Sequence, residues 1–311
     1  MATNGSMTEV DSNHEPTAAR EVEKGDLDSV GPEDPSSAIS EIPDGGAAAW
    51  LMVLGTWCTS FCSFGWINSV GIFQDYYERE MLKNYSSSTI AWIPSLQIFF
   101  IMAMGPVVGR LYDIYGPRRL ILGGTLLHVF GLMMASLSTE YYQILLSQGI
   151  CSAIGASAIF QPAISTVPEW FNKKRATAFG ICSTGSSIGG VIFPIMLTHL
   201  ISKVGFPWTM RISAFLILFL LIIANLTVRR RIVSKSKVSK KMDHLRAFRE
   251  TKSLLLMAGF SLITFGIFVP IDYVVVEARA SGMSTGILAY LVPILNSARF
   301  VVLSMIDSII V

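Results

Sequence analysis

The stretch GRLYDIYGPRR, residues 109–119, lies between two apolar runs that are each long enough to cross a bilayer. Its regularly spaced glycines and charged residues are Gly109, Asp113, Gly116, Arg118 and Arg119. Gly116 followed by proline predicts a tight turn. Asp113 falls one helical turn after Gly109 and is able to accept hydrogen bonds at a neighbouring helix N-terminus, where the dipole favours an anion. Arg118 and Arg119 are able to pair with Asp113 or with lipid phosphate. The spacing predicts a loop at which one helix moves against another.

The composition around this loop is that of a membrane protein. Of the 311 residues, 51% are hydrophobic and 15% are charged, whereas soluble domains carry about 25% charged residues. A spanning helix needs roughly 20 apolar residues, and eight runs qualify: Ala47 to Phe73, Thr89 to Tyr112, Leu120 to Leu137, Tyr142 to Val167, Ala176 to Ile201, Thr209 to Val228, Ser253 to Val276 and Thr285 to Ile306. The sequence therefore predicts an all-α, multi-pass membrane protein.

The polar segments divide this chain into four parts. Residues 1–44 hold 11 acidic residues and almost no large apolar ones, which predicts a disordered tail. The residues after Met1 do not form the apolar segment of a cleaved signal peptide, so we do not expect one. Residues 45–228 form the first six predicted spans. Residues 229–252 form a basic loop, either a solvated connector or a segment that touches the anionic inner leaflet. Residues 253–311 hold two more spans.

The distribution of lysine and arginine predicts the orientation. With the N-terminal tail inside, the short inner loops hold sixteen of these residues and the outer loops hold four. Positive loops face the cytosol, so we expect a cytosolic N-terminus. Asn84 begins the sequon Asn84-Tyr85-Ser86 on the predicted outside and is a candidate glycosylation site.

Polar residues inside the spans are candidates for a substrate path, because they are costly in lipid and usually face protein or water. The candidates are Asn68, Ser69, Gln97, Gln161, Ser183 and Arg299. Each neutral residue could equally form a helix-to-helix hydrogen bond. Arg299 needs a cavity or a counter-ion, which an anionic substrate would supply.

Pairs of glycines predict close helix packing. Gly105 and Gly109 lie four residues apart in the second span, and Gly185 and Gly189 do so in the fifth. Such pairs let two backbones approach where lipid offers no hydrophobic drive for association.

Other classes of protein are poorly supported. No His-Glu-x-x-His, Gly-x-Ser-x-Gly or metal-ligand spacing appears, so we expect neither catalytic residues, an enzyme activity, a bound metal nor another cofactor. The expected partners are a small-molecule substrate and the lipid bilayer, without nucleic acid. A seven-helix receptor would place its N-terminus outside, against the predicted orientation.

Three motifs together resemble the major facilitator superfamily. The 109–119 loop is similar to its signature loop between helices two and three. Asp44-Gly45-Gly46 with Trp50, and the stretch WFNKKRATAFG from Trp170 to Gly180, resemble motifs that open helices one and five in the fungal monocarboxylate-transporter-like branch. The matching residues of the second motif are Lys173, Lys174, Arg175 and Gly180.

The resemblance implies two six-helix bundles that rock around a central site and carry a small organic anion or related metabolite, with or without a proton. A plasma-membrane location is the first expectation and a vacuolar membrane the second. The chain differs from the best-known animal members in having Asn68 where they have a lysine, which removes that route of proton coupling.

The resemblance also implies twelve helices, four more than the eight predicted spans. The expectation is a first bundle plus about two helices of a C-terminally truncated second bundle. Two hypotheses therefore remain open: a transporter, or a truncated membrane protein that does not transport.

Overall fold

The computed structural model describes residues 44–231, 251–283, 291 and 293–297. Within these ranges the regular structure is entirely helical. The helices are α1 (Ala47–Met81), α2 (Ser87–Ala103), α3 (Gly105–Tyr115), α4 (Pro117–Ala135), α5 (Tyr141–Trp170), α6 (Arg175–Thr227) and α7 (Thr251–Ala280). The all-α, multi-pass prediction is confirmed. Arg299, the acidic tail before Asp44 and most of the predicted basic loop lie outside the described residues.

Helices occupy all six spans predicted before residue 229, although the boundaries differ. Among the described residues, four helices are long and apolar enough to cross a membrane, and a fifth span results if α2 and α3 count as one. These two helices meet at an angle of 41°, next to Pro106, whose ring prevents a regular helical hydrogen bond.

The longest helix, α6, contains two spans. It has 53 residues and is interrupted at Gly205, whose φ of 78° and ψ of 167° are not helical. Glycine is the residue that adopts positive φ at no steric cost. Residues 175–204, which we call the first arm of α6, and residues 206–227, the second arm, correspond to the fifth and sixth predicted spans.

The first helix is longer and less regular than predicted. It continues to Met81 and contains π-helical turns at Phe61–Gly65 and Tyr77–Met81. Between them, Asn68 and Ser69 form a turn, and the Ser69 N–H bonds to the Trp66 carbonyl at 3.0 Å. Single π-turns inside helices are frequent at functional sites. Hydropathy alone does not detect this break, because Asn68 and Ser69 are only two polar residues within a long apolar run.

Close glycine contacts join α1 to the first arm of α6. A Cβ atom built on Gly189 would lie 2.8 Å from the Gly65 Cα and 2.9 Å from the Phe61 carbonyl oxygen. One built on Gly185 would lie 2.5 Å from the Trp57 carbonyl oxygen. The predicted close approach at this glycine pair is therefore confirmed.

The equivalent prediction for α3 is wrong within the described residues. A Cβ atom on Gly109 would meet nothing within 4 Å, and one on Gly105 would lie 3.6 Å from the Gln161 amide, an ordinary contact. The sequence spacing is the same as in α6, but no described backbone crosses α3 closely there.

Aromatic side chains fill the core between α1 and both arms of α6. The Trp66 ring packs edge-on against Phe193 in the first arm, with ring centroids 5.3 Å apart. Tyr76 stacks on Phe206 at the start of the second arm, at 5.2 Å. The bend at Gly205 thus folds two apolar arms onto one helix.

We expect Gly189→Ala to destabilise the bundle by about 1–3 kcal/mol, since the new methyl group would collide with backbone atoms that cannot move aside cheaply. The measurement is the midpoint of heat-induced loss of monodisperse protein in detergent. Gly123→Ala is the matched control, because a Cβ on Gly123 would meet nothing within 4 Å. Equal midpoints for the two variants would contradict the close approach.

Candidate functional site

Asp44 ties the start of α1 to the loop before α6. Its Oδ1 accepts backbone N–H groups of Asn172 at 2.5 Å, Lys173 at 2.7 Å and Lys174 at 3.4 Å. The three N–H groups face one carboxylate oxygen, which is the arrangement of a backbone anion site. Two motifs that are 128 residues apart in the chain therefore form a single contact.

This contact favours the charged form of Asp44. Desolvation opposes ionisation, but the N–H donors outweigh it, and the pKa of the Asp44 carboxyl is lowered from its ordinary value. Because this pKa is lowered, Asp44 is ionised at neutral pH and its hydrogen bonds to the 172–174 loop are fully formed. They are lost only as the pH falls below the ordinary aspartate pKa of about 3.9.

The glycines and aromatic residues of the same motifs shape this corner. Gly46 has a φ of 94° and precedes the first residue of α1, where a side chain would be strained. Trp50 packs edge-on against Phe171 with ring centroids 5.3 Å apart. The Arg175 guanidinium lies over the Phe179 ring at 5.6 Å. The other motif residues contribute less: Gly45 has open space around it, Lys173 and Lys174 contribute backbone N–H groups while both residues are exposed, and Gly180 is half-buried.

The 109–119 loop forms the predicted turn but not the predicted ion pair. Gly116 has a φ of 74° between α3 and α4. Asp113, Arg118 and Arg119 are exposed, and no ion pair or hydrogen bond joins their side chains to any described residue. Asp113 is thus available for a partner outside the described bundle.

A second acidic residue, Glu169, holds the ends of three helices together. Its Oε1 accepts the Tyr112 hydroxyl at 2.8 Å and lies 3.4 Å from the Arg230 Nε. Its Oε2 accepts the Arg231 backbone N–H at 3.2 Å. The Arg230 guanidinium also lies over the Tyr112 ring at 5.2 Å, and the Trp170 indole donates to the Arg229 carbonyl at 3.0 Å.

The sequence analysis did not select Glu169. Its signal in the sequence is an acidic residue at the end of an apolar span whose neighbouring loops are otherwise basic. Together with the Asp44 contact and the 109–119 loop, it defines what we call the basic end of the bundle: residues 44–50, 112–119, 169–175 and 227–231.

The candidate path residues lie away from this end, inside the helices. Asn68 and Gln97 are 4% and 1% exposed, Ser69 is fully buried, and Gln161 and Ser183 are half-buried. Asn68 donates to the Phe64 carbonyl at 2.9 Å and reaches the Ser186 carbonyl at 3.5 Å. Ser69 Oγ and Gln97 Oε1 have no hydrogen-bond partner among the described residues.

One further polar residue joins this interior, and the sequence analysis did not choose it for the path. Asn296, in the short described part of the eighth predicted span, is 3% exposed and donates to the Gly190 carbonyl at 3.2 Å. The structure thus brings Asn68 and Asn296 to the same stretch of α6. It shows no comparable contact of Asn68 with Gln97 or Gln161 in the described ranges.

At the end opposite the basic end, Asn84 is exposed in the turn after α1. Ser86 of the same sequon caps α2, since its Oγ accepts the Thr89 N–H at 3.3 Å. Glycosylation of Asn84 stays a prediction. No group of three or more metal-binding side chains occurs in the part of the chain that the structure describes.

These features define a multi-pass helical membrane protein in which the interior polar residues named above are neutral and the charged contacts described above lie at the basic end. The sequence profile of the Major Facilitator Superfamily matches residues 47–309. The chain belongs to this superfamily, whose members are transporters.

The relatives are fungal transporters. The chain is 63% identical over 271 residues to the MFS transporter asaE of Aspergillus flavus, covering 87% of this chain and 61% of that protein. It is 52% identical over 298 residues to the fujikurins efflux protein of Gibberella fujikuroi, covering 94% of this chain and 62% of that protein. The chain thus spans about three fifths of the length of these relatives.

Solved structures agree on the fold. The peptide transporter POT in complex with sulfate superposes with a TM-score of 0.52 at 18% sequence identity, covering 84% of this chain and 55% of that one. At this level of identity the likeness concerns the fold alone.

We expect Asp44→Ala to expose the 172–174 loop to protease, because three N–H groups lose their common acceptor. The measurement is the rate of trypsin cleavage after Lys173 and Lys174 in purified protein at neutral pH, which should rise several-fold. Asp113→Ala is the matched control at the same end, where the lost carboxylate has no partner among the described residues. Unchanged cleavage in Asp44→Ala would contradict the tie.

Proposed function

We propose that this chain serves an exporter that moves a small fungal metabolite across a membrane by alternating access. The observation that carries the proposal is the buried, neutral polar break of α1 at Asn68, which faces α6 inside the bundle. Discontinuous helices of this kind form the binding sites of secondary transporters. The name of the Gibberella fujikuroi relative, an efflux protein, supports the outward direction.

The proposed orientation places the basic end in the cytosol. The loops that carry Arg118, Arg119, Lys173 and Lys174 lie there, and positive loops are retained on the cytosolic side. The acidic tail would then also be cytosolic. We propose the plasma membrane as the location, with the vacuolar membrane as the alternative, because export from the cytosol is served by either.

Membership of the monocarboxylate-transporter-like branch is a finer proposal. The contact of Asp44 with the 172–174 loop supports it, because it unites the two motifs on which that resemblance rests. The neutral Asn68 argues against proton coupling through helix one. An organic anion would need a cation elsewhere in the path, and Arg299 is the proposed partner.

The alternative is a membrane protein that does not transport. The observation in its favour is that the chain spans 61% and 62% of the two relatives, and a two-bundle mechanism needs both bundles. In that case the chain as given inserts and folds its first bundle without moving a substrate.

The test is export from yeast cells. Cells producing the 311-residue chain are compared with cells producing a chimera completed by the last helices of the Aspergillus flavus relative. Each is loaded with a panel of fungal acids and neutral metabolites, with and without a proton uncoupler. If the chimera exports particular substrates and the 311-residue chain does not, the result supports the exporter for the completed protein. It also supports the non-transporting alternative for the chain as given. No export by a correctly inserted chimera would reject the exporter.

We expect Asp113→Asn to slow export by the chimera while leaving its membrane insertion unchanged. The carboxylate contacts no described residue, so its loss should not disturb the first bundle, whereas a gating partner would lose an ionic contact. The measurement is the initial export rate per inserted protein. Lys203→Gln, at an exposed residue outside the loop, controls for a mere change of net charge. A normal rate in Asp113→Asn would exclude the gating role.

A further inference from the structure

Gly190 lies under two amide side chains that come from different parts of the chain. A Cβ atom built on Gly190 would lie 2.7 Å from the Asn296 Cγ and 2.8 Å from the Asn68 Nδ2. Asn68 belongs to α1, and Asn296 lies beyond the loop that separates the first six spans from the rest. The absence of a side chain at position 190 therefore lets both amides rest on the backbone of α6.

The hydrogen bonds at this point use the same helix. Asn296 donates to the Gly190 carbonyl at 3.2 Å, and Asn68 reaches the carbonyl of Ser186, one turn earlier, at 3.5 Å. Both amides are almost fully buried. Neutral interhelical hydrogen bonds contribute little stability in membrane proteins, so this contact is weak enough to form and break repeatedly.

Gly190 differs from its neighbour Gly189 in what surrounds it. The nearest atoms to a Cβ on Gly189 are backbone atoms of α1, within the first six spans. The nearest atoms to a Cβ on Gly190 are side-chain ends, which can rotate away. Position 189 therefore fixes the bundle itself, whereas position 190 controls how closely the two amides approach the α6 backbone.

We propose that Gly190 is the positioning residue of a gate, in which Asn68 and Asn296 close the path over the α6 backbone and part when the path opens away from the basic end. The proposal rests on the proposed alternating access, with the basic end in the cytosol. Ser186 lies one turn nearer the basic end than Gly190. A reagent that enters from the other side must pass the amide pair before it reaches position 186.

The experiment measures whether a reagent from that side can pass the amide pair and reach position 186. Ser186→Cys is introduced as a probe into the 311-residue chain, and an impermeant maleimide is added to intact cells. Protein without the probe gives the background from the four native cysteines. The closed amide pair should shield the probe, and Gly190→Ala should raise its labelling rate about threefold, the change expected from losing one interhelical hydrogen bond. Gly123→Ala, which meets no neighbour, should leave the rate unchanged.

A second variant separates the gate from a folding defect. Asn296→Ala removes one amide without adding bulk and should raise labelling in the same direction. The double variant should label no faster than the faster single variant, because both remove the same contact. Labelling that stays at the parent rate in Asn296→Ala, or that rises additively in the double variant, would overturn the proposal.

The labelling assay requires no transported substrate. If the variants label faster at position 186 but the chimera exports nothing, the exporter is rejected, and the contact of the two amides with α6 is still shown to open and close. Unchanged labelling together with normal export would reject this gate and keep the exporter.

Discussion

The contact on which the rest of the structure depends is the approach of two glycine backbones, Gly65 in α1 and Gly189 in α6. Lipid tails are as apolar as leucine side chains, so helices in a bilayer gain nothing from hiding apolar surface against each other and depend on close packing. This crossing lies at the end of the first π-turn of α1, immediately before the Asn68–Ser69 break. The position that holds the bundle together thus also fixes where the polar residues of α1 face α6.

Among the described residues, the contacts of buried or half-buried carboxylates at the basic end stay within the first bundle, whereas a neutral amide reaches it from the later part of the chain. At the basic end, the carboxylates of Asp44 and Glu169 each hold loops or helix ends that belong to the first six spans. In the interior, Asn296 from the later part of the chain bonds to the Gly190 carbonyl through a neutral amide. A carrier that rocks one bundle against another needs this division, because a bundle must remain rigid while its contact with the other bundle is exchanged.

The sequence predicts the elements better than their contacts. Apolar runs locate six spans because every backbone group in lipid must be bonded within a helix, and Gly116 marks a turn because it takes a positive φ. The Gly105 and Gly109 pair was interpreted in the same way as Gly185 and Gly189, yet only the second pair meets another described backbone. Spacing gives the face of a helix but not its partner. The contacts of Glu169 could not be predicted for the same reason, since its three partners come from distant parts of the chain.

Two neighbouring residues of the basic end illustrate how one short region serves two purposes. Tyr112 and Asp113 are adjacent, so on a helix they point in directions about 100° apart. Tyr112 turns inward to Glu169 and joins α3 to α5, whereas Asp113 faces outward without a partner among the described residues. An acidic residue that stabilised the bundle would be expected to pair as Glu169 does. Asp113 and the two arginines of the 109–119 loop remain exposed, which leaves them free of the folding contacts of the first bundle and agrees with the gating contact proposed above.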